Sequence, residues 1–497
     1  MRQVADEFRR RAERSDSVAV IDDSGPHPAR ELLRHAEGLA ETLSGTVLIQ
    51  ADNSWRTVAA SLAVGLGGGT LAVVNRHTTA AEFAAAFEDI QPDVVVAEPA
   101  ALAEWAVPAL LPGGAEAAVL DGWLARSAPG RRDVSRWAGG CLIGLTSGST
   151  GRAKGVVQSE KALRYAAEQT IAINGLRAGD AIAAIVPLSS TAAYCFGVYQ
   201  ALTLGGPLVL WGRWDPAATL PRMAQADVRW TMCVPTMALQ LGTAAAGSRA
   251  LSGVRSITVG GGPMDAGALG RAEESLGTRI LRVFGMSECL GHTSPAPDDP
   301  PEIRLGRDGR PFPGTELRAV DPDGHPVRPG ELGRGEVRGP SLFLGYARGG
   351  KLEPPELTAG GFLPTGDLLI ADSDGTVTIM GREKDVIIRG GRNIDITEVE
   401  RAIASHPRVA QVCVAPVPDE VLGERAAALV VPVDGGPVRL DEVTGHLHGL
   451  GLSKAKWPEF VFAVADLPQT AVGKLSRTGA RDLARELHAG RPGTAQP

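Results

Sequence analysis

The sequence predicts a layered α/β fold: a large N-terminal α/β domain carrying a β-rich subdomain, followed by a small, mobile α+β domain at the C-terminus. Three observations predict it. From Val18 to Val259, apolar strand-like runs alternate with Ala-rich helical patterns, as in VLIQA (47–51) followed by TVAASLAVGL (57–66). That alternation is what βαβ units and a layered sheet produce. Further on, short strands and turns take over in ELRAVDPDGHPV (316–327), GRGEVRG (333–339) and DGTVTIMG (374–381). The final stretch opens with IDITEVERAIASHP (394–407), a helix followed by the alternating strand-like run VAQVCVAPV (409–417).

Each element has its own signals. Asp395 followed by Glu398 has the form of a capping box, Ile396, Val399 and Ile403 make one apolar stripe, and Pro407 follows the helix end. The Gly/Pro-rich polar stretches RSAPGRRD (126–133) and PAPDDPPEI (295–303) read as surface loops. Between Gly381 and Gly391 a charged, Gly-flanked run interrupts the strand pattern, which places a hinge there and divides the chain into domains over 1–382 and 383–497.

Bulk properties narrow the function classes. A chain of 497 residues exceeds the ~250–300 residues at which single cores stop growing. A hydrophobic fraction of 44% and a charged fraction of 22% fit a packed enzyme rather than a disordered chain. The net charge is −7 with no Lys/Arg cluster, so no nucleic-acid surface is expected and anionic ligands must be met locally. Five cysteines, Cys141, Cys195, Cys233, Cys289 and Cys413, form no C-x-x-C pair, which argues against a disulfide framework or a zinc site. MRQVADEFRRRAERSDS at the N-terminus lacks the apolar core of a secretory signal. No window reaches the ~18 apolar residues of a membrane span. The expectation is a cytoplasmic protein without membrane partners, monomeric or homodimeric.

The strongest local signal is LTSGSTGRAKGVV (145–157), in which Thr146, Ser147, Ser149 and Thr150 are interspersed with Gly148 and Gly151 ahead of Lys154. Glycines let the backbone approach a phosphate, hydroxyl and N–H groups donate to it, and the lysine offsets charge. It is not a kinase-type P-loop, since Lys154 stands between Ala153 and Gly155 rather than before Ser or Thr. By itself such a segment is also compatible with a Ser/Gly-rich surface turn. The same holds further along: Phe284 alone fits a packed aromatic, and Lys474 alone a solvent-facing lysine.

Five further segments occur in a fixed order after this loop: GGGPM (260–264), FGMSE (284–288), PTGDL (364–368), GREKDVIIRGGRNI (381–394) and PQTAVGKLSR (468–477). With them, almost the whole chain resembles the acyl-adenylate-forming superfamily of acyl-CoA synthetases, peptide-synthetase adenylation domains and beetle luciferases. The resemblance implies an ATP-dependent, AMP-forming acid–thiol ligase: acid plus MgATP gives an enzyme-bound adenylate and pyrophosphate, and an acceptor then displaces AMP. It implies that Glu288 ligates Mg²⁺ and that Phe284, where a tyrosine is usual, offers the adenine a flat face beside Gly285, Met286 and Ser287. Ser287 keeps the hydroxyl of the more common threonine. Asp367 and Arg382 correspond to the ribose-binding pair, and Gly260, Gly261 and Gly262 to a nucleotide-side loop. Lys474 would orient the carboxylate against the α-phosphate, with Glu288 and Thr146 beside it in the catalytic set. Lys384 matches the hinge of a swinging small domain, and Gly390 and Gly391 the segment nearest the acceptor's pantetheine arm.

By the same resemblance the acid pocket draws on Ser189, Ser190, Tyr194 and Cys195 in PLSSTAAYCFG (187–197), Val234 and Pro235 in VPT, the GGGP loop (260–263), and Cys289 to His292. Many acyl-CoA synthetases carry an aromatic residue followed by histidine near Ser189 and Ser190. This chain does not, and its polar segment points to a small or aromatic acid rather than a long acyl tail. Tyr194 and Phe196 also fit as core residues. The acceptor, coenzyme A or the phosphopantetheine of a carrier, stays open, and no carrier domain follows residue 497, so a carrier would be a separate chain. Transfer to an amine, adenylation of an unusual acid such as nitrite for diazo formation, and a catalytically silent nucleotide-binding module are the other readings. Retention of Lys154, Glu288, Asp367, Arg382 and Lys474 together speaks against the last.

Overall fold

The computed structural model describes residues 1–490 apart from 131, 147–152, 263, 384, 390, 391, 434, 471 and 472. Among the described residues the strands form five sheets. The first has nine strands, in the order Lys351–Glu353, Gly345–Arg348, Lys154–Ser159, Gly140–Thr146, Thr70–Val74, Thr46–Gln50, Val94–Ala97, Trp123–Ser127 and Ala115–Leu120. Its middle strands, Thr46–Gln50, Thr70–Val74 and Val94–Ala97, are parallel and buried throughout. Continuous Val/Leu/Ile runs suit strands that are covered on both faces. The helix Trp55–Leu66 is itself buried on almost every side, and Ser54 opens it by accepting from the Arg56 amide.

The second sheet positions the site. Its order is Arg279–Arg282, Ser256–Val259, Val228–Cys233, Ala181–Ala184, Leu208–Leu210, Val18–Asp22 and Gly25–Pro28, parallel except for the last. Three neighbouring strands finish in step, with Cys233 opposite Val259 and Val259 opposite Arg282. The residues that follow them, Val234, Gly260 and Val283, therefore meet at one rim. Ligand crevices of parallel sheets lie outside the carboxyl ends of strands.

Two antiparallel sheets build the β-rich region. One joins Phe284–Met286, Cys289–Ser294 and Arg310–Pro311, and the other joins Glu316–Val320, Leu332–Arg338, Leu363–Ala371 and Val377–Arg382. Buried Asp308 braces them against the second sheet: its carboxylate takes Arg282 Nε at 2.8 Å, Arg282 Nη2 at 3.0 Å and the Ile379 amide at 2.7 Å. The stretch 295–303, expected to be pure loop, runs into a short helix, Pro301–Arg304, because Pro301 at its first position has the backbone angle a helix start needs. Likewise 126–133 begins inside the strand Trp123–Ser127.

The C-terminal sheet contains Arg392–Asp395, Val386–Arg389, Gly423–Pro432, Val409–Asp419 and Phe460–Ala463, packed with the helices Ile396–Ala404, Leu440–Gly449 and Arg477–Ala489. The predicted stripe Ile396, Val399 and Ile403 is buried, and Asp395 caps the helix through the amides of Thr397 and Glu398. The reciprocal arm of the expected capping box is absent. Glu398 instead holds Lys456 Nζ at 2.6 and 2.7 Å, since a charged donor is a stronger partner for a carboxylate than a neutral amide. The run expected to interrupt the strand pattern instead carries the end of one strand, Val377–Arg382, and the whole of another, Val386–Arg389. Across it, Arg401 of the helix Ile396–Ala404 donates to the Ile379 carbonyl.

Candidate active site

A cleft enclosing about 870 Å³ of space, open solvent included, lies at the rim where the three parallel strands end. Val234, Gly260, Gly261 and the run Phe284, Gly285, Met286 and Ser287 line it, together with Ser190, Phe196, Trp230, Phe312 and Lys474. Sequence positions more than two hundred residues apart thus share one cavity.

Lys474 arrives from the C-terminal region on a tight hairpin. Its amide donates to Thr470 Oγ1 at 3.2 Å, and the Thr470 amide donates to the Lys474 carbonyl at 2.7 Å. The side chain passes over Gly261, where φ is +86° and a methyl group would lie 2.9 Å from Lys474 Cε and 3.1 Å from Nζ. Only a glycine leaves room for this crossing while accepting that backbone conformation. Burial lowers the Lys474 pKa, the Arg382 guanidinium lowers it further, and the Glu288 carboxylate acts the other way. Its ammonium is therefore in electrostatic reach of both residues. Charge poised in a partly desolvated site acts more strongly than in water.

Asp367 and Arg382 are opposite residues on paired antiparallel strands, with Arg382 Nε 2.9 Å from Asp367 Oδ1. Asp367 is 3% exposed, and its Oδ2 has no hydrogen-bond partner among the described residues. An unpaired buried acceptor costs about 1–3 kcal/mol, which a ligand hydroxyl recovers. Burial raises the Asp367 pKa to about 6 despite the adjacent guanidinium.

Glu288 follows the strand Phe284–Met286, and its Oε1 accepts from Tyr346 Oη at 2.9 Å. Lys154 Nζ stands 4.9 Å from the centre of the Tyr346 ring. Thr146 and Lys154 face each other at the end of their hairpin strands, with Thr146 Oγ1 3.4 Å from the Lys154 carbonyl. One carboxylate with an oxygen free of partners among the described residues suits Mg²⁺, which is usually held by one or two carboxylates plus phosphate oxygens. The one trio of metal-ligating side chains among the described residues, Asp321, Asp323 and His325, lies outside the cleft on a turn.

Of the expected acid-pocket residues, Ser190 and Val234 line the cleft, and Pro235 adjoins it 3.6 Å from a methyl placed on Gly262. Leu290 and Gly291, from the expected run Cys289 to His292, line the cleft as well, whereas Ser189, Tyr194, Cys195, Cys289 and His292 sit behind the wall. Ser189 accepts from Asn75 at 3.0 Å, Cys195 donates to the Leu163 carbonyl at 3.6 Å, and Cys289 pairs with Ser341 at 3.4 Å, all buried. Tyr194 is fully buried with its hydroxyl 4.0 Å from Met1 Sδ. A π-helical turn over Tyr194–Tyr199 sets this arrangement, leaving Phe196 at the cleft. His292 is buried and packs edge-on against Phe284 with ring centres 4.9 Å apart; burial lowers its pKa to about 3, so it stays neutral. Trp230, Thr258 and Phe312 were not anticipated. Alternation along Val228–Cys233 marks Trp230 as facing one side with Met232, but only the neighbouring sheet shows that this side is the cleft. All five cysteines are buried and free of disulfides. Ser147, Gly148, Ser149, Thr150, Gly151, Lys384, Gly390 and Gly391 lie outside the described residues.

The sequence profile of the AMP-binding enzymes matches residues 8–347, and that of the AMP-binding enzyme C-terminal domain matches residues 398–474. The chain belongs to the AMP-binding enzyme family. Its fold agrees: ATP-bound MatB from Rhodopseudomonas palustris superposes with a TM-score of 0.84 at 27% identity, covering 97% of this chain and 99% of that one. The chain is 36% identical over 349 residues to pyochelin synthase PchD of Pseudomonas aeruginosa, covering 69% of this chain and 63% of the relative. It is 34% identical over 367 residues to a Streptomyces salicylyl-CoA synthase / salicylate adenylyltransferase, covering 73% of this chain and 65% of the relative. The match thus spans somewhat less than two thirds of these relatives' length. No helix among the described residues of this AMP-binding enzyme is long and apolar enough to cross a membrane.

Proposed function

We propose that this AMP-binding enzyme activates a small or aromatic carboxylic acid as its acyl adenylate and passes the acyl group to a thiol. The observation that carries the reading is the side chain of Lys474 crossing Gly261 into the cleft that Phe284 to Ser287 line. There the ammonium aligns an acid carboxylate with the α-phosphate of ATP. A carboxylate oxygen bonds to the α-phosphorus as the bond to pyrophosphate breaks, so the protein supplies position and charge and no covalent intermediate. Phe284 would face the adenine, Asp367 Oδ2 would accept from ribose hydroxyls, and Lys154 would meet phosphate oxygens. Mg²⁺ bound at Glu288 would neutralise phosphate charge. In the second step a thiolate attacks the acyl carbon and AMP leaves.

An aromatic acid is favoured by the rings of Phe196, Trp230 and Phe312 on the cleft wall and by the salicylate enzyme among the relatives. Residues 1–382 and 383–497 act in this reading as a nucleotide-binding body and a swinging lid. The test is mass spectrometry of reactions containing ATP, Mg²⁺ and a panel of benzoic, heteroaromatic and short aliphatic acids, followed by coenzyme A, a pantetheinylated carrier or an amine. An acyl-AMP product that is consumed with thioester formation is expected. Adenylate formation followed only by amide would replace the thiol, and no adenylate from any acid would remove the reading.

A further inference from the structure

We infer that Tyr346 is a positioning residue of the nucleotide site, its hydroxyl aiming the Glu288 carboxylate and its ring holding the Lys154 ammonium. The inference rests on the reading of Glu288 and Lys154 as phosphate-side groups. Three segments converge on this phenol. Gly345–Arg348 pairs antiparallel with Lys154–Ser159, with Tyr346 opposite Val156, two residues along from Lys154. That register puts Lys154 Nζ 4.9 Å from the ring centre, within cation–π range. The hydroxyl donates to Glu288 Oε1 at 2.9 Å.

The arrangement is braced from both sides. The Phe343 amide donates to the Glu288 carbonyl at 2.7 Å, and the Phe343 ring stands edge-on to Tyr346 with centres 4.8 Å apart. Gln158, on the same strand as Lys154, donates to the Ser287 carbonyl at 2.7 Å. The backbone before and at Glu288 is thus held by the strand that carries Gln158 and by the segment that leads into Gly345–Arg348. The freedom left to the carboxylate is rotation of its own side chain, and the bond from Tyr346 restricts it. A hydrogen bond to one carboxylate oxygen directs the other outward, which is how supporting groups orient a metal ligand. The ring meanwhile gives the lysine a resting place that does not neutralise it, as a carboxylate partner would.

The two parts of the phenol separate by substitution. Tyr346→Phe removes the hydroxyl and keeps the ring; Tyr346→Leu removes both. Two measurements apply to the full chain: the Mg²⁺ dependence of acid-dependent pyrophosphate exchange, and the melting-temperature gain on adding ATP with Mg²⁺ relative to ATP with EDTA. Loss of a charge-assisted hydrogen bond raises half-saturating Mg²⁺ about tenfold in Tyr346→Phe, with the ATP KM within about twofold of wild type and rescue at high Mg²⁺. Tyr346→Leu adds a rise in ATP KM that Mg²⁺ does not rescue. Unchanged Mg²⁺ dependence in Tyr346→Phe, whether or not the ligand-free protein melts earlier, overturns the inference. Should the wild-type protein exchange no pyrophosphate, adenylation fails as a reading while the melting arm still tests Tyr346. A wild-type protein with neither a Mg²⁺-dependent melting gain nor Mg²⁺-dependent exchange overturns the inference.

Discussion

Asp367 shows how one side chain carries a testable pH signature. Its carboxyl is buried, has one oxygen without a partner among the described residues, and has its pKa pushed up to about 6 by burial. Above that value it is ionised and both oxygens accept; below it, the proton removes an acceptor from the ribose position. ATP affinity is therefore expected to fall as pH drops through about 6, and Asp367→Asn to weaken ATP about tenfold while flattening the profile. Stability runs the other way. The folded carboxyl holds its proton to higher pH than the unfolded one, so its contribution is full below about pH 4 and is lost as pH rises through about 6. Calorimetric ATP titrations and ligand-free melting at matched pH values check both signs. The motif around Asp367 was legible in the sequence because residue types and their order were enough. Tyr194 and Cys195 were not, because the π-helical turn decides which side chains reach the cleft, and local pattern does not reveal such a turn.

At the scale of elements, three parallel strands ending in register create the cleft, and Gly261 creates the path by which a distant hairpin enters it. Gly261→Ala is expected to lower adenylation by about 10- to 100-fold, since an alanine at φ +86° is strained by about 1–2 kcal/mol and its methyl displaces the Lys474 stem. The melting temperature should change modestly by comparison. Steady-state pyrophosphate exchange measured beside thermal melts distinguishes the two effects. The βαβ alternation, the β-rich region and the helix Ile396–Ala404 were all readable from periodicity and capping residues. The sheet order was not, because Val234, Gly260 and Val283 become neighbours only through long-range pairing. Trp230 and Phe312 were missed for the same reason.

For the whole molecule, the arrangement seen places Lys474 in the cleft and holds the C-terminal helix Ile396–Ala404 against the strand Val377–Arg382 through Arg401. Under the proposed function this arrangement would serve adenylate formation, and a swing of the small domain would serve the transfer step. With the hinge proposed at Lys384, Lys384→Pro is expected to leave adenylate formation within about threefold of wild type and to slow transfer to the thiol by at least tenfold, because proline locks a backbone angle. Equal loss in both steps, measured by single-turnover kinetics, would reject the hinge. That a large α/β part is followed by a smaller α+β part was legible from the change in strand and helix pattern along the chain. That the small part would deliver the lysine across a glycine of the large one was not, since it depends on how two folded units pack.

The most direct measurement of the central claim is acid-dependent exchange of labelled pyrophosphate into ATP by the wild-type protein and by Lys474→Ala, across the acid panel. The account predicts exchange with at least one aromatic or small acid, and a drop of about 10²- to 10³-fold in Lys474→Ala with ATP binding retained, the size expected for removing a preorganised charge from a transition state. Tight ATP binding with no exchange for any acid, or exchange undiminished in Lys474→Ala, would contradict it.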